Sequence, residues 1–188
     1  MIVGIDYSMT SPAVCVCNGD FKYENCSFAF ITNKQKLAVQ HTPNIVGLPL
    51  YEYKDNLERF TKLANMTVEF IRSAIVYNGY TIHIGLEGYA YGAKGQVFNI
   101  GENTGILKYT LNKFSQGEII VFAPSEIKKF ATGKGNANKV LMYESFINET
   151  GHDLAKLFEI EEYKGQGPIS DIIDSYYVAK IRHNHINS

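Results

Sequence analysis

The stretch Ile2-Val3-Gly4-Ile5-Asp6, followed by Tyr7-Ser8-Met9-Thr10-Ser11-Pro12 and then Ala13-Val14-Cys15-Val16-Cys17, opens the chain with two short apolar runs around a polar turn. Small hydroxylic residues and a proline between apolar runs suit a turn, so the segment reads as a β-hairpin. Residues 27–32 add a third strand to this antiparallel start. Residues 34–53 contain Pro43, Gly47 and Pro49, show no clean period, and read as a long excursion rather than a standard element. From residue 55 to 77, Leu57, Phe60, Leu63, Ala64, Phe70, Ile71 and Ala74 recur at helical spacing. Residues 80–86 then form a buried strand that delivers Glu87 at its carboxyl end. After a loop rich in glycine and tyrosine (88–95), residues 96–114 return to helical character, with Gly101 and Gly105 on one face where another backbone can approach. A strand at 118–122, a helix from Pro124, a glycine-rich break at 132–136, a helix at 138–148 and a last helix from about 169 to 182 complete the chain. Three strands followed by alternating helix and strand predict an α/β fold: a five-stranded mixed sheet flanked by helices, in one domain spanning residues 1–188.

Composition narrows the class. With 188 residues, 45% hydrophobic and 20% charged, the chain can bury a core without disulfides. No apolar run is long enough to span a membrane, and the start has no basic or cleavable apolar segment, so a cytoplasmic protein is expected. The three cysteines, Cys15, Cys17 and Cys26, read as buried thiols, since an odd count without a secretory signal does not suggest a disulfide framework. His183 and His185 read as tail residues. A net charge of −1 supplies no global field for nucleic acid, so any such site must come from local clustering.

Four acids stand out. Asp171 and Asp174 are three apart on the last helix and point to one side, about 5 to 6 Å apart at Cβ. Such pairs usually face water, but Ile172, Ile173, Tyr176, Tyr177, Val178 and Ala179 around them describe a packed helix. Asp6 and Glu87 each interrupt an apolar run, where an unpaired carboxylate is costly and a bound cation is one remedy. Each alone also reads as a strand end in solvent; together the four favour a metal site. Lys128, Lys129, Lys134 and Lys139 form the densest basic stretch, opposed locally only by Glu126, and each could neutralise a backbone phosphate. Tyr89 and Tyr91, in the loop after Glu87, could stack on bases or pack on the sheet edge, and Lys94 beside them could contact phosphate.

Gly4-Ile5-Asp6-Tyr7-Ser8, Gly85-Leu86-Glu87-Gly88-Tyr89 and Asp171-Ile172-Ile173-Asp174 resemble the acidic motifs of RuvC-type Holliday junction resolvases, members of the RNase H-like superfamily. Pro124-Ser125-Glu126-Ile127-Lys128 with Gly133-Lys134-Gly135-Asn136-Ala137-Asn138-Lys139 is similar to that family's basic segment, and Gly101-Glu102-Asn103-Thr104-Gly105 to its glycine-bearing helix. The resemblance runs from residue 1 to about 181, with 34–53 corresponding to nothing in the family pattern.

The resemblance implies that Asp6, Glu87, Asp171 and Asp174 hold two divalent ions, magnesium or manganese, for phosphodiester hydrolysis that leaves 5′-phosphate ends. It places Lys128 and Lys139 nearest the scissile strand, with Lys139 steadying charge in the transition state. It further implies a crossover junction endodeoxyribonuclease acting on branched DNA such as a four-way junction, as a homodimer whose two sites nick opposed strands. Divergence over about the first hundred residues, with the excursion, points to a phage or other viral form in an infected bacterial cell. Two other classes remain open: another RNase H-like nuclease acting on RNA:DNA hybrid or RNA, and a non-catalytic binder of DNA branches. The opening Asp6-Tyr7-Ser8-Met9-Thr10 also suits sugar kinases and actin-like ATPases, but those need a duplicated domain and a longer chain.

Overall fold

Alternation along the strands divides the molecule into two cores. The computed structural model describes residues 1–75, 81–89, 96–115 and 117–187. Among them, seven strands, β1 (Ile2–Asp6), β2 (Ala13–Cys17), β3 (Cys26–Thr32), β4 (Gln40–Thr42), β5 (Ile45–Pro49), β6 (His83–Glu87) and β7 (Ile119–Phe122), form one mixed sheet in the order β4-β5-β3-β2-β1-β6-β7. β1, β2 and β3 pair antiparallel, whereas β6 joins β1 in parallel and β7 joins β6 in parallel.

The five strands expected from sequence are β1, β2, β3, β6 and β7. The excursion at 34–53 supplies two more, β4 and β5, so the sheet is larger than expected. β5 runs parallel to β3, and β4 returns antiparallel as a three-residue edge. These strands are too short to show a period, and Pro43, Gly47 and Pro49 disguise them. Gly47 is demanded by packing, because a Cβ there would lie 1.8 Å from the Leu37 carbonyl oxygen.

Six helices cover the sheet: α1 (Asn56–Ser73), α2 (Val97–Phe114), α3 (Pro124–Thr132), α4 (Lys139–Thr150), the one-turn α5 (Leu154–Leu157) and α6 (Ile169–Asn187). Asp55 caps α1 by accepting from the Glu58 N–H at 2.8 Å, which ends the irregular lead-in. α1 and α2 bury Leu63, Val68, Ile71, Leu107 and Leu111 against Val3, Ile5, Val14, Val16, Ile84 and Leu86. The intervening positions, among them Cys15, Cys17 and Phe28, point to the opposite face and meet α4 and α6 through Phe146, Ile172, Tyr176 and Tyr177. All three cysteines are free and buried.

α6 runs past its expected end at Arg182, and His183 and His185 lie on it rather than in a tail. The extension is anchored by Arg182, only 3% exposed, whose guanidinium donates to Glu118 Oε2 at 3.2 Å and lies 3.5 Å from His83 Nδ1. No helix among the described residues is long and apolar enough to cross a membrane.

What positions the functional end of the molecule is contact between α6 and two glycines. Gly4 and Gly85 are paired in register on adjacent parallel strands. A Cβ on Gly4 would lie 2.2 Å from the Ala179 nitrogen and from the Ser175 carbonyl oxygen, and one on Gly85 would lie 2.8 Å from the Val178 carbonyl oxygen. Helix backbone therefore rests directly on sheet backbone. Gly4→Val is expected to lower unfolding stability by about 3 kcal/mol or more through overpacking against backbone that cannot yield, read as a shift in the urea midpoint. An unchanged midpoint would show that α6 does not depend on this approach.

Candidate active site

Asp6 ends β1 and Glu87 ends β6, each two residues beyond the glycine of the registered Gly4–Gly85 pair. Since side chains alternate, both carboxylates leave the face that α6 covers. On α6 the residues touching the glycines are Ser175, Val178 and Ala179. One helical turn earlier on the same side stands Asp174, which brings it over the strand ends. Carboxylate oxygens of Asp6, Glu87 and Asp174 consequently lie within 4.8 Å of one another.

Their electrostatics follow from this crowding. Burial first, then the charges of Glu87, Asp174 and Asp171, push the Asp6 carboxyl well above the usual carboxylate range. Burial and the Glu87 charge raise Asp174 to about 8. Glu87 is raised mainly by burial, against the opposing influence of Lys128, Lys139 and a hydrogen bond with Asp6. Three half-buried acids in this relation either retain protons or hold a cation. Their donor set is all oxygen, which suits a hard divalent ion such as magnesium or manganese over zinc, and the three could coordinate a single ion.

Asp171 sits beside this trio rather than in it. Its Oδ2 accepts from Ser11 Oγ at 2.9 Å and its Oδ1 from Ser170 Oγ at 2.9 Å. Ser170 also accepts from the Lys139 ammonium at 3.0 Å, so one hydroxyl ties the lysine to the acid. Lys139 opens α4, capped by Asn138, whose side chain accepts from the Leu141 N–H at 2.9 Å. Lys128, half-buried on α3, also acts on Glu87 and Asp174. Lys129 and Lys134 are exposed on the same basic segment, without a described contact to the acids. Glu126, the one local acid, is occupied as a helix cap, accepting from the Ala123 N–H at 2.7 Å.

Sequence comparison finds no matching family model and no matching curated protein. Two solved structures do match. Thermus thermophilus RuvC aligns over 98% of this chain and 95% of its own, with a TM-score of 0.59 and 12% identity. T. thermophilus RuvC in complex with a Holliday junction substrate aligns over 100% and 95%, with a TM-score of 0.60 and 14% identity. The fold is RNase H-like, of the RuvC type.

Within this RuvC-type frame, the four acids expected from sequence lie at one end of the sheet, with Lys128 and Lys139 beside them. Tyr89 is exposed two residues beyond Glu87, while Tyr91 and Lys94 fall outside the described residues. Reasoning from sequence missed Ser11, Ser170 and Tyr163. Ser170 directly precedes Asp171, and Ser11 lies in the opening turn, but neither position advertises a hydroxyl aimed at a carboxylate. Tyr163 comes from an irregular segment; burial and the charges of Asp174 and Asp171 push its hydroxyl pKa up.

The raised Asp174 carboxyl has a signed consequence. The folded chain keeps a proton that the unfolded chain releases in the ordinary carboxylate range, so the associated stability is full below about pH 4 and is lost as pH rises towards about 8. In chelator, the protein is expected to melt at a lower temperature at about pH 8 than at about pH 5, and manganese or magnesium to raise the melting temperature most at the higher pH. Equal melting at both pH values, with no response to either ion, would remove the trio as a cation site.

Proposed function

We propose that this chain is a metal-dependent endonuclease that resolves four-way junctions or related branched DNA by paired nicks. The observation that carries the reading is the carboxylate trio of Asp6, Glu87 and Asp174 on a RuvC-type fold, with Lys139 tethered beside it. The branched substrate is supported by the matched RuvC structure, which is a complex with a Holliday junction.

In this reading Asp6, Glu87 and Asp174 hold one magnesium or manganese ion, and Asp171, presented by Ser11 and Ser170, completes a two-ion site. Ions bound there would activate water and stabilise the leaving oxygen of in-line displacement. The water oxygen bonds to phosphorus, the bond to the 3′ oxygen breaks, and that oxygen takes a proton, leaving a 5′-phosphate and a 3′-hydroxyl. The Lys139 ammonium, held near the acids by Ser170, steadies the charge that develops on the phosphoryl oxygens. Lys128 positions the scissile strand, and Lys129, Lys134, Lys94, Tyr89 and Tyr91 extend the DNA contact along the same end of the molecule.

The active particle is a homodimer of one-domain chains, since symmetric nicking needs two sites on a two-fold axis. α2 is its interface: Phe98 and Tyr109 are 87% and 61% exposed at helical spacing with Gly101 and Gly105, whose Cβ positions face open space. Sedimentation should give about twice the 21.1 kDa chain mass, and Phe98→Glu should give monomers. A wild-type monomer at working concentration would remove the dimer.

Cleavage of a labelled four-way junction in magnesium, beside linear duplex, a Y-fork and an RNA:DNA hybrid, tests the activity. Symmetric ligatable nicks near the crossover are expected. Asp6→Asn and Asp174→Asn should abolish cutting with junction binding nearly intact, and Lys139→Ala should lower turnover about 100-fold with little change in affinity. Full activity in either aspartate variant would sink the metal assignment; hybrid cleavage alone would move the chain to a hybrid-cutting class.

A further inference from the structure

A pocket of about 290 Å³ opens beside the acids, and Asp171 forms part of its wall. Its floor is apolar, from Phe30, Ile31 and Leu37, and its rim is polar, carrying Thr10, Asn33 and Lys34. We propose that this pocket takes one unpaired nucleotide flanking the scissile phosphate, with the base on the apolar floor and the backbone at Lys34. The proposal rests on the nuclease reading and adds to it a substrate requirement: a base free to leave its stack next to the cut.

Size argues for a single nucleotide. The volume lies at the low end for small-ligand sites, too little for a base pair. A branch point supplies bases whose unstacking is least costly, which suits a pocket that must receive one. The chemistry also fits. Asn33 is exposed, and its amide, which can both donate and accept, makes no hydrogen bond to a described residue. Lys34 forms no salt bridge to a described residue, leaving its ammonium for phosphate. The shared wall settles proximity: Ser11, also lining the pocket, is the residue whose hydroxyl holds Asp171.

The pocket gives the excursion at 34–53 a role. Leu37 is held from behind by that segment: His41 Nε2 donates to its carbonyl at 3.0 Å, and β5 presses Gly47 against the same oxygen. The His41 ring in turn sits 4.6 Å from the ring of Phe158 and 5.6 Å from that of Phe30. β4 and β5 thus form a buttress that keeps the outer wall upright, on a part of the sheet remote from every acid.

The test uses the wild-type chain and a four-way junction carrying a single 2-aminopurine, moved through each position around the crossover, in chelator so that no strand is cut. One position next to the cleavage site should brighten several-fold on binding. That rise should disappear in the Asn33→Ala/Lys34→Ala double variant, whose junction affinity stays within a few-fold of wild type, and in Gly47→Val, which removes the buttress. In magnesium, an abasic site at the same position should slow wild-type cleavage about tenfold and the double variant's hardly at all. A junction that is bound and cut while no position brightens, or while the double variant responds as wild type does, overturns the pocket and leaves the nuclease standing. Absence of metal-dependent cleavage on every branched substrate overturns both.

Discussion

Everything at the functional end depends on helix backbone lying directly against sheet backbone. The registered pair Gly4 and Gly85 removes two side chains where α6 crosses β1 and β6, and the Ser175, Val178 and Ala179 backbone occupies that space. A side chain at either glycine would hold the helix off and carry Asp174 away from Asp6 and Glu87. The same contact makes the acidic trio a property of three elements far apart in sequence rather than of any one of them. Arg182, buried between α6 and β7 and paired with Glu118, secures the far end of the helix so that the glycine contact fixes its rotation as well as its height.

That arrangement creates an electrostatic debt that the protein leaves open on purpose. Hydrophobic packing on both faces of the sheet holds three carboxyls together although burial and mutual repulsion raise Asp6, Glu87 and Asp174 above their ordinary range. Lys128 and Lys139 offset part of this charge, but Lys139 is directed to Ser170 rather than into an ion pair with the trio, so the oxygens remain free to serve as ligands. Asp171 is treated differently. Both of its oxygens are already engaged by serine hydroxyls, which orient it without neutralising it.

The excursion shows how a short, proline-bearing segment escapes pattern reading and still joins the sheet. β4 and β5 are three and five residues long, below the length at which a period of two separates from chance. Their partner is β3, whose Thr32 carbonyl accepts the Leu50 N–H at 2.8 Å just past Pro49. This pairing is settled across the sheet and not by local propensity, so residues 34–53 look structureless until the neighbour is known.

Much of the architecture was legible along the chain because it rests on local periodicity. The apolar runs of β1, β2, β3, β6 and β7, the helical stripe of α1, and Pro124 opening α3 each announce their element within a few residues. Acids interrupting those runs at Asp6 and Glu87, and the pair on a packed helix at Asp171 and Asp174, were likewise visible as a set. Tertiary structure alone decided which three acids converge, that Ser11 and Ser170 hold the fourth, and that Lys139 rather than Lys129 or Lys134 reaches them. These are distances between residues up to 168 positions apart, set by strand register and by how closely α6 approaches Gly4 and Gly85, and periodicity along a chain carries no information about such distances.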